Sequence, residues 1–452
     1  MFGIKPSAPT EVLVYSGMDS PRLRYVLHII FGVLYPCAYR LTANWEEWVS
    51  FQGVRVGYGC GLEDGASGSV RIPSDGLVEY SSIQPITPEI CSDPRFVYPA
   101  LFPVTSQGQV DFSFDLFSMV FFLLSRYEEY FITQRDVFGR MPAKESWQYK
   151  WGILEYPLVD YWVGQFIQSL RVKWPDWAAP SRKFTRQLTC DIDIAWAFLH
   201  RPWWRQALAL GRDVWRWRRE HLCTRMRVWF RRIPDPYDTY PLLEKAHWCT
   251  DEVLFFFLLS DYAPNERAIS YRHPKMRALI RSLSERFELG IHPSLASHRS
   301  LDAVIKEKKR LEHITGKEVI RSRQHFLAFS LPETYRRLEQ AGIKWDYSMG
   351  YAECPGFRAG ISVAFPWYDL YAERMTSLMV QPFQVMDVTL KQYQKLQPAE
   401  AMACIARLQT RVQQVGGTFS LLWHNSSFYG EEGWDGWDAV FRMATGIKGG
   451  PV

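Results

Sequence analysis

Asp191 and Asp193 stand two residues apart at the end of the apolar run Leu188-Thr189-Cys190. Residues at i and i+2 of an extended strand project from one face, so the two carboxylates point the same way. Carboxylates held side by side repel, and burying them is costly unless a cation or a raised pKa relieves the repulsion. A metal ion or a proton is therefore expected there. An isolated Asp-x-Asp more often only caps the segment that follows, but this one has company. Three of the ten histidines, His292, His325 and His424, follow apolar strand-like runs. Carboxylates and imidazoles together are the donors that hold divalent ions and the groups that move protons in hydrolysis.

The elements that must position these residues form a regular series. Apolar runs at 187–192, 253–259, 287–291, 318–323, 344–348, 378–386 and 418–423 read as strands. Helical periodicity at 273–286, 301–315, 332–341 and 399–415 falls between several of them. Strands alternating with helices at this spacing predict a parallel α/β architecture, and seven of them predict a barrel. In such a barrel the active site lies at the C-terminal strand ends. Those ends carry Asp191 and Asp193, His292-Pro293-Ser294, Arg323-Gln324-His325, Asp346-Tyr347-Ser348 and Trp423-His424-Asn425.

At 452 residues the chain exceeds what one core usually supports, so two domains are expected. Hydrophobic and aromatic contents of 47% and 15% exclude overall disorder, and a net charge of +5 selects no partner class. Eight scattered cysteines without a C-x-x-C pair fit reduced thiols in a cytoplasmic protein. The opening residues lack a basic region followed by an apolar core, and no run is long enough to span a bilayer.

Residues 1–110 read as a small α/β module, with a strand at 11–15, a helix at 21–34, and short strands among Gly57, Gly59, Gly61, Gly65 and Gly68. It contains no phosphate-binding glycine motif and is assigned no chemistry. Residues 111–182 read as a helical connector and linker, with helices at 111–130 and 154–170. Within it, Ser125-Arg126-Tyr127-Glu128-Glu129 reads as a solvated helix end with an intrahelical ion pair. The barrel then occupies 183–452.

On Asp191-Ile192-Asp193, Gly290-Ile291-His292-Pro293-Ser294, the arginines of 321–323 and Trp423-His424, residues 183–445 resemble the polysaccharide deacetylase family, carbohydrate esterase family 4. The chain as a whole is similar to a two-domain bacterial subgroup with an uncharacterised N-terminal module before the barrel. The resemblance implies a distorted (β/α)7-type deacetylase barrel that removes acetyl groups with a divalent metal, zinc being the first expectation. It implies Asp191 as the base that activates water and Asp193 and His292 as metal ligands. The family's second histidine falls on Ala296, so the third ligand is His325 or His298, with His325 preferred because it needs no loop distortion. Arg323, or alternatively Arg321, would orient the base, and His424 would protonate the leaving group. Trp423 and Phe357 could wall the pocket, and a backbone N–H near Tyr347 could meet the developing oxyanion.

Two stretches remain. Residues 201–232, inserted after the first barrel strand, carry ten arginines, Trp203, Trp204, Trp215, Trp217, Trp229 and Phe230, and only two acids, Asp213 and Glu220. They read equally as a peripheral membrane contact attracted to anionic headgroups or as a helical hairpin packing its tryptophans on the barrel. Nucleic acid ranks a distant third, since no recognised module accompanies the charge. The loop 346–360 could hold a substrate through Arg358, or its glycines could serve a turn. The leading function is thus a metal-dependent hydrolase of an acetylated amino sugar in a cell-envelope polysaccharide or its lipid-linked precursor. A non-catalytic glycan-binding or scaffold protein on the same barrel is the alternative.

Overall fold

The computed structural model describes residues 11–59, 68–80, 82–105, 110–178, 180–261 and 268–448. Gly61 and Gly65 lie outside them.

Four parallel strands, β1 (Glu11–Ser16), β2 (Ala38–Thr42), β3 (Val54–Tyr58) and β4 (Val70–Ile72), form a sheet in the order β2-β1-β3-β4. The central strand β1 is apolar on both faces because both are covered. Val12 and Val14 join the main core, while Leu13 packs on Trp48 of the helix Trp45–Ser50. A short hairpin of β5 (Ile90–Cys91) and β6 (Ala100–Leu101) follows. The helix Leu116–Ser125 is buried along its whole length and is capped by Asp115, which accepts from Ser118 N. Asp115 also accepts from Tyr58 Oη at 2.9 Å, tying this helix to β3.

The second sheet has nine strands: β7 (Thr185–Ile192), β8 (Glu252–Phe257), β9 (Glu288–Ile291), β10 (Arg321–Ser322), β11 (Trp345–Asp346), β12 (Phe365–Asp369), β13 (Arg374–Val380), β14 (Val385–Met386) and β15 (Thr418–His424). Their order is β12-β13-β11-β10-β9-β8-β7-β15-β14, and every neighbouring pair is parallel except β12 with β13. The two halves of one extended run, 374–386, work at opposite ends of this order. β13 pairs with β11 (Val380 with Asp346), and β14 pairs with β15 (Val385 with Leu421). Pro382, which has no N–H to give a ladder, lies at the changeover. The helices Pro274–Ser284, Leu301–Thr315, Glu333–Gln340 and Pro398–Gln414 connect the strands where periodicity predicts them. The antiparallel strand β12 has no counterpart in the sequence reading. No helix among the described residues is long and apolar enough to cross a membrane.

The segment at 125–130 is not the solvated helix end that its polarity predicts. Arg126 ends the helix in the left-handed region (φ 54°), which turns its side chain inward with Glu128 and Glu129. Arg126 Nε lies 2.8 Å from Glu129 Oε1, and its Nη2 lies 2.7 Å from Glu128 Oε1. Arg358 completes the cluster, with its Nη2 2.7 Å and its Nε 3.0 Å from the two oxygens of Glu129. Its Nη1 donates to Gly350 O at 2.9 Å. Arg358 is therefore committed to the core and is no substrate anchor. Gly356 and Gly360 take positive φ in the same loop, so the turn reading of its glycines holds.

Burial opposes ionisation of Glu129, but Arg358 and Arg126 outweigh it and lower its pKa to about 2. Burial raises that of Glu128 despite Arg126. A lowered carboxyl pKa contributes stability that is fully present above its ordinary value of 4.5 and is lost as pH falls toward the folded value. Glu128, shifted the other way, contributes with the opposite sign. Glu129→Gln leaves two buried guanidiniums short of a counter-charge and should cost about 3–5 kcal/mol at neutral pH. In urea unfolding from pH 7 downward, the gap between variant and parent should hold until about pH 4.5 and then narrow. A gap independent of pH would show that packing, not charge, is what Glu129 contributes.

Candidate active site

Strand register brings the chemistry-bearing residues to one level. Asp191 of β7 is opposite His424 of β15 on one side and Phe256 of β8 on the other. Ile291 of β9 is opposite Phe257 and Ser322, so His292 and Arg323 are the next residues beyond the ladder. His292 N donates to Phe257 O at 2.9 Å, Arg323 N to Ile291 O at 3.0 Å and His325 N to Pro293 O at 3.0 Å. Parallel strands thus deliver Asp191, Asp193, His292, Arg323, His325 and His424 to their C-terminal ends. All but Arg323 line one cavity of about 260 Å³.

His292 sits between the acids. Its Nδ1 is 2.6 Å from Arg323 O, and a carbonyl only accepts, so Nδ1 carries the proton. Its Nε2 faces Asp193 Oδ1 at 3.2 Å and Asp191 Oδ2 at 3.8 Å. A lone pair aimed at two carboxylates is stable only with a cation between the groups. His325 Nε2 lies 3.8 Å from Asp193 Oδ2. Asp193, His292 and His325 each offer a ligand atom, all within 4.8 Å of one another. Ligands about 2.0–2.1 Å from a tetrahedral zinc ion stand about 3.4 Å apart, so the set fits a divalent ion. The buried Oδ1 of Asp191 has no hydrogen-bond partner among the described residues, which agrees with that fit. Burial works against ionisation of Asp193, yet His325 and His292 hold its pKa well below the usual carboxylate range.

Arg323 Nε is 3.8 Å from Asp191 Oδ1, and its Nη2 donates to Thr189 Oγ1 at 2.7 Å. Its guanidinium lies between the rings of Phe256 and Phe383, with centroids 5.2 and 5.3 Å away. Arg321 pairs instead with Glu288 at 2.9 Å, away from the acids. His424 Nδ1 is 2.8 Å from Asp387 Oδ1, and His424 N donates to Asp387 Oδ2 at 2.7 Å. The ring is thereby fixed with Nε2 toward Asp193 Oδ2, 3.9 Å away. Burial disfavours the imidazolium, but Asp387, Asp193 and Asp191 outweigh it and raise the pKa to about 10.

Several expectations from the sequence change here, for packing reasons that only the assembled strands reveal. Trp423 and Phe357 are fully buried in the core and do not wall the cavity. Tyr347 N donates to Ser322 O within the sheet and has no proton left for an oxyanion. His298 lies in the turn Ser297–Arg299 and does not join the ligand group. The residues that sequence reasoning misses are Asp387, Arg140, Phe326, Tyr393 and Trp434. Asp387 could have been found, since it directly follows β14 at the same level as the other site residues. Arg140 could not, because it reaches the cavity from the connector, held by Asp136 and donating to Phe326 O at 2.7 Å.

Residues 12–175 match a sequence family described as a family of unknown function, DUF7033. No curated protein matches the chain. Among solved structures it is similar to a protein described as a polysaccharide deacetylase from Mycobacterium smegmatis, at 15% identity over 60% of this chain and 86% of that one, with a TM-score of 0.37. It is also similar to a CE4 family pseudoenzyme from Bacillus anthracis, at 12% identity over 58% of this chain and 61% of that one, with a TM-score of 0.28. A 4-alpha-glucanotransferase from Thermococcus litoralis shares 14% identity over 59% of this chain and 38% of its own, with a TM-score of 0.33. Identities of this size leave the chemistry to be argued from the residues.

Elemental analysis after dialysis against a divalent metal should find about one equivalent on the parent chain. Asp193→Ala, His292→Ala and His325→Ala should each lose it, and His298→Ala should keep it. Retention in His325→Ala with loss in His298→Ala would reverse the choice of third ligand.

Proposed function

We propose that this cavity is the active site of a metal-dependent hydrolase that removes an acetyl group from an amino sugar of a cell-envelope polysaccharide or its lipid-linked precursor. The observation that carries the reading is the convergence of a three-ligand group, Asp193, His292 and His325, with an acid and a histidine on either side of it. Three protein ligands with a position left open is the arrangement of catalytic rather than structural zinc sites. A bound divalent ion would polarise the acetyl carbonyl and lower the pKa of a water molecule. Asp191 is placed to take the proton of the attacking water, with Arg323 facing its other side. His424, locked by Asp387 and protonated at neutral pH, is placed to deliver a proton to the departing nitrogen as the carbon–nitrogen bond breaks. Of the aromatic residues lining the cavity, Tyr393 is exposed and offers a ring face on which a sugar can stack, and Arg140 offers a charge for its polar groups.

The closing of the strand series through 374–386 supports the distorted (β/α)7-type barrel, and the division into 1–110, 111–182 and 183–452 belongs to the same proposal. The competing reading, a non-catalytic glycan-binding or scaffold protein, is favoured by Ala296, where the resemblance places a second histidine.

Acetate release from oligomers of N-acetylglucosamine and from acetylated envelope glycan, measured on metal-loaded protein, separates the two. Hydrolysis is expected, with Asp191→Asn and His424→Ala each lowering kcat by about 10²–10⁴ while metal content is kept. Glycan binding without acetate release would establish the non-catalytic alternative.

A further inference from the structure

The insertion 201–232 folds as two helices, Trp203–Trp215 and Arg219–Trp229, packed on each other. A buried ionic staple fixes them: Asp213 Oδ2 lies 2.5 Å from Arg225 Nη2 and 3.0 Å from His221 Nδ1. The second helix is anchored below through Val228, which joins Phe198, Tyr237 and Tyr429 in a small apolar cluster, and through Arg225 over the Phe198 ring at 4.6 Å. At about 100° per residue, Asp213 falls on the side of the first helix opposite Trp204, Ala207, Leu208, Gly211 and Trp215. Seating Asp213 inward therefore turns that apolar stripe outward. The tryptophans of the first helix and the turn after it are not packed on the barrel: Trp203 is 81% exposed, Trp215 77% and Trp217 77%, with Leu208 beside them at 69%. Trp229 of the second helix is instead half-buried, with its Nε1 donating to Phe198 O at 3.4 Å.

The charge around the stripe has one sign. Arg212, Arg216, Arg218, Arg219, Arg227, Arg231 and Arg232 are exposed, and none of them meets a carboxylate among the described residues. Glu220 is the one exposed acid of the insertion. At about 1.5 Å per residue the first helix is about 20 Å long, too short to cross a bilayer but long enough to lie in its surface. Indole rings partition to the headgroup level, and arginines there gain the attraction of anionic lipids.

We propose that the exposed face of the 203–215 helix, with its flanking arginines, docks the protein on an anionic lipid bilayer. The charge complementarity selects this occupant. A second copy of the chain would bring the same unpaired arginines against each other. The hairpin follows β7, so it stands at the end of the strands where the cavity opens. Its second helix also touches the cavity's surroundings, where Thr224 donates to Glu431, the neighbour of the cavity-lining Glu432. Docking thus holds the protein by an insertion rooted at the end of the strands where the cavity lies. Its test needs no catalytic activity, so it stands or falls apart from the hydrolytic reading.

The full chain is sedimented with vesicles of phosphatidylcholine alone and of phosphatidylcholine mixed with phosphatidylglycerol. Binding is expected to the mixed vesicles, weakened by salt, with tryptophan emission shifted to the blue and quenched by brominated lipid. Arg212→Gln, Arg216→Gln and Arg219→Gln together should weaken it about a hundredfold. Trp203→Ser with Trp215→Ser should weaken it at least about tenfold. All five positions are exposed, and unchanged melting curves confirm folding. Equal binding to both vesicle types, no binding to either, or binding untouched by the variants would overturn the proposal. So would a dimer in lipid-free solution that the tryptophan variants convert to monomer, which would assign the face to a second copy.

Discussion

Repulsion between the carboxylates of Asp191 and Asp193 is the constraint around which the end of the second sheet is arranged. Each neighbour brought to that level can carry positive charge or help fix a group that does. His292 places its free nitrogen between the two acids, His325 approaches Asp193, and Arg323 backs Asp191. Asp387 reverses the sign once more, holding a charged His424 against the far side. In a medium of low polarity such alternation is what permits several ionisable groups to be buried together. The same alternation separates Asp191 from the charged His424, the two groups to which the proposed hydrolysis assigns the taking and the giving of a proton.

The site also depends on residues far from it in the chain. The described residues of 11–182 share one continuous core with the second sheet. Tyr25 Oη donates to Pro366 O at 2.9 Å, and Arg22 pairs with Glu373 across the same boundary. The cluster of Arg126, Glu128, Glu129 and Arg358 fixes the loop that leads from β11 to β12. A buried charge network of this kind is satisfied in only one relative placement of its parts. The placement matters to the cavity, because Arg140 enters it from the connector side.

The hairpin after β7 follows a different logic. Loops at the C-terminal ends of parallel strands can grow without disturbing the core, so an insertion there alters what the site meets and leaves the fold intact. In its first helix Asp213 faces inward and the apolar stripe faces outward, the reverse of an ordinary surface helix. Exposed apolar surface of that kind is what the proposed bilayer contact would cover.

Much of the fold was legible because periodicity is a local property. Alternating apolar strands and helices gave the strand series, the four connecting helices and the first strand and helix of the N-terminal sheet. Asp191, Asp193, His292, His325 and His424 were legible for the related reason that residues following parallel strands must share one end of the sheet. Burial of polar residues was not legible. Arg126 and Glu129 look solvated in sequence, Arg358 looks free, and only the partner that each meets across 229 or more residues decides otherwise. The same holds for the entry of Arg140, the locking of His424 by Asp387, and the outward face of the tryptophans of the first hairpin helix. Each depends on which groups meet in space, and electrostatic partners, unlike helical or strand periods, leave no regular spacing along the chain.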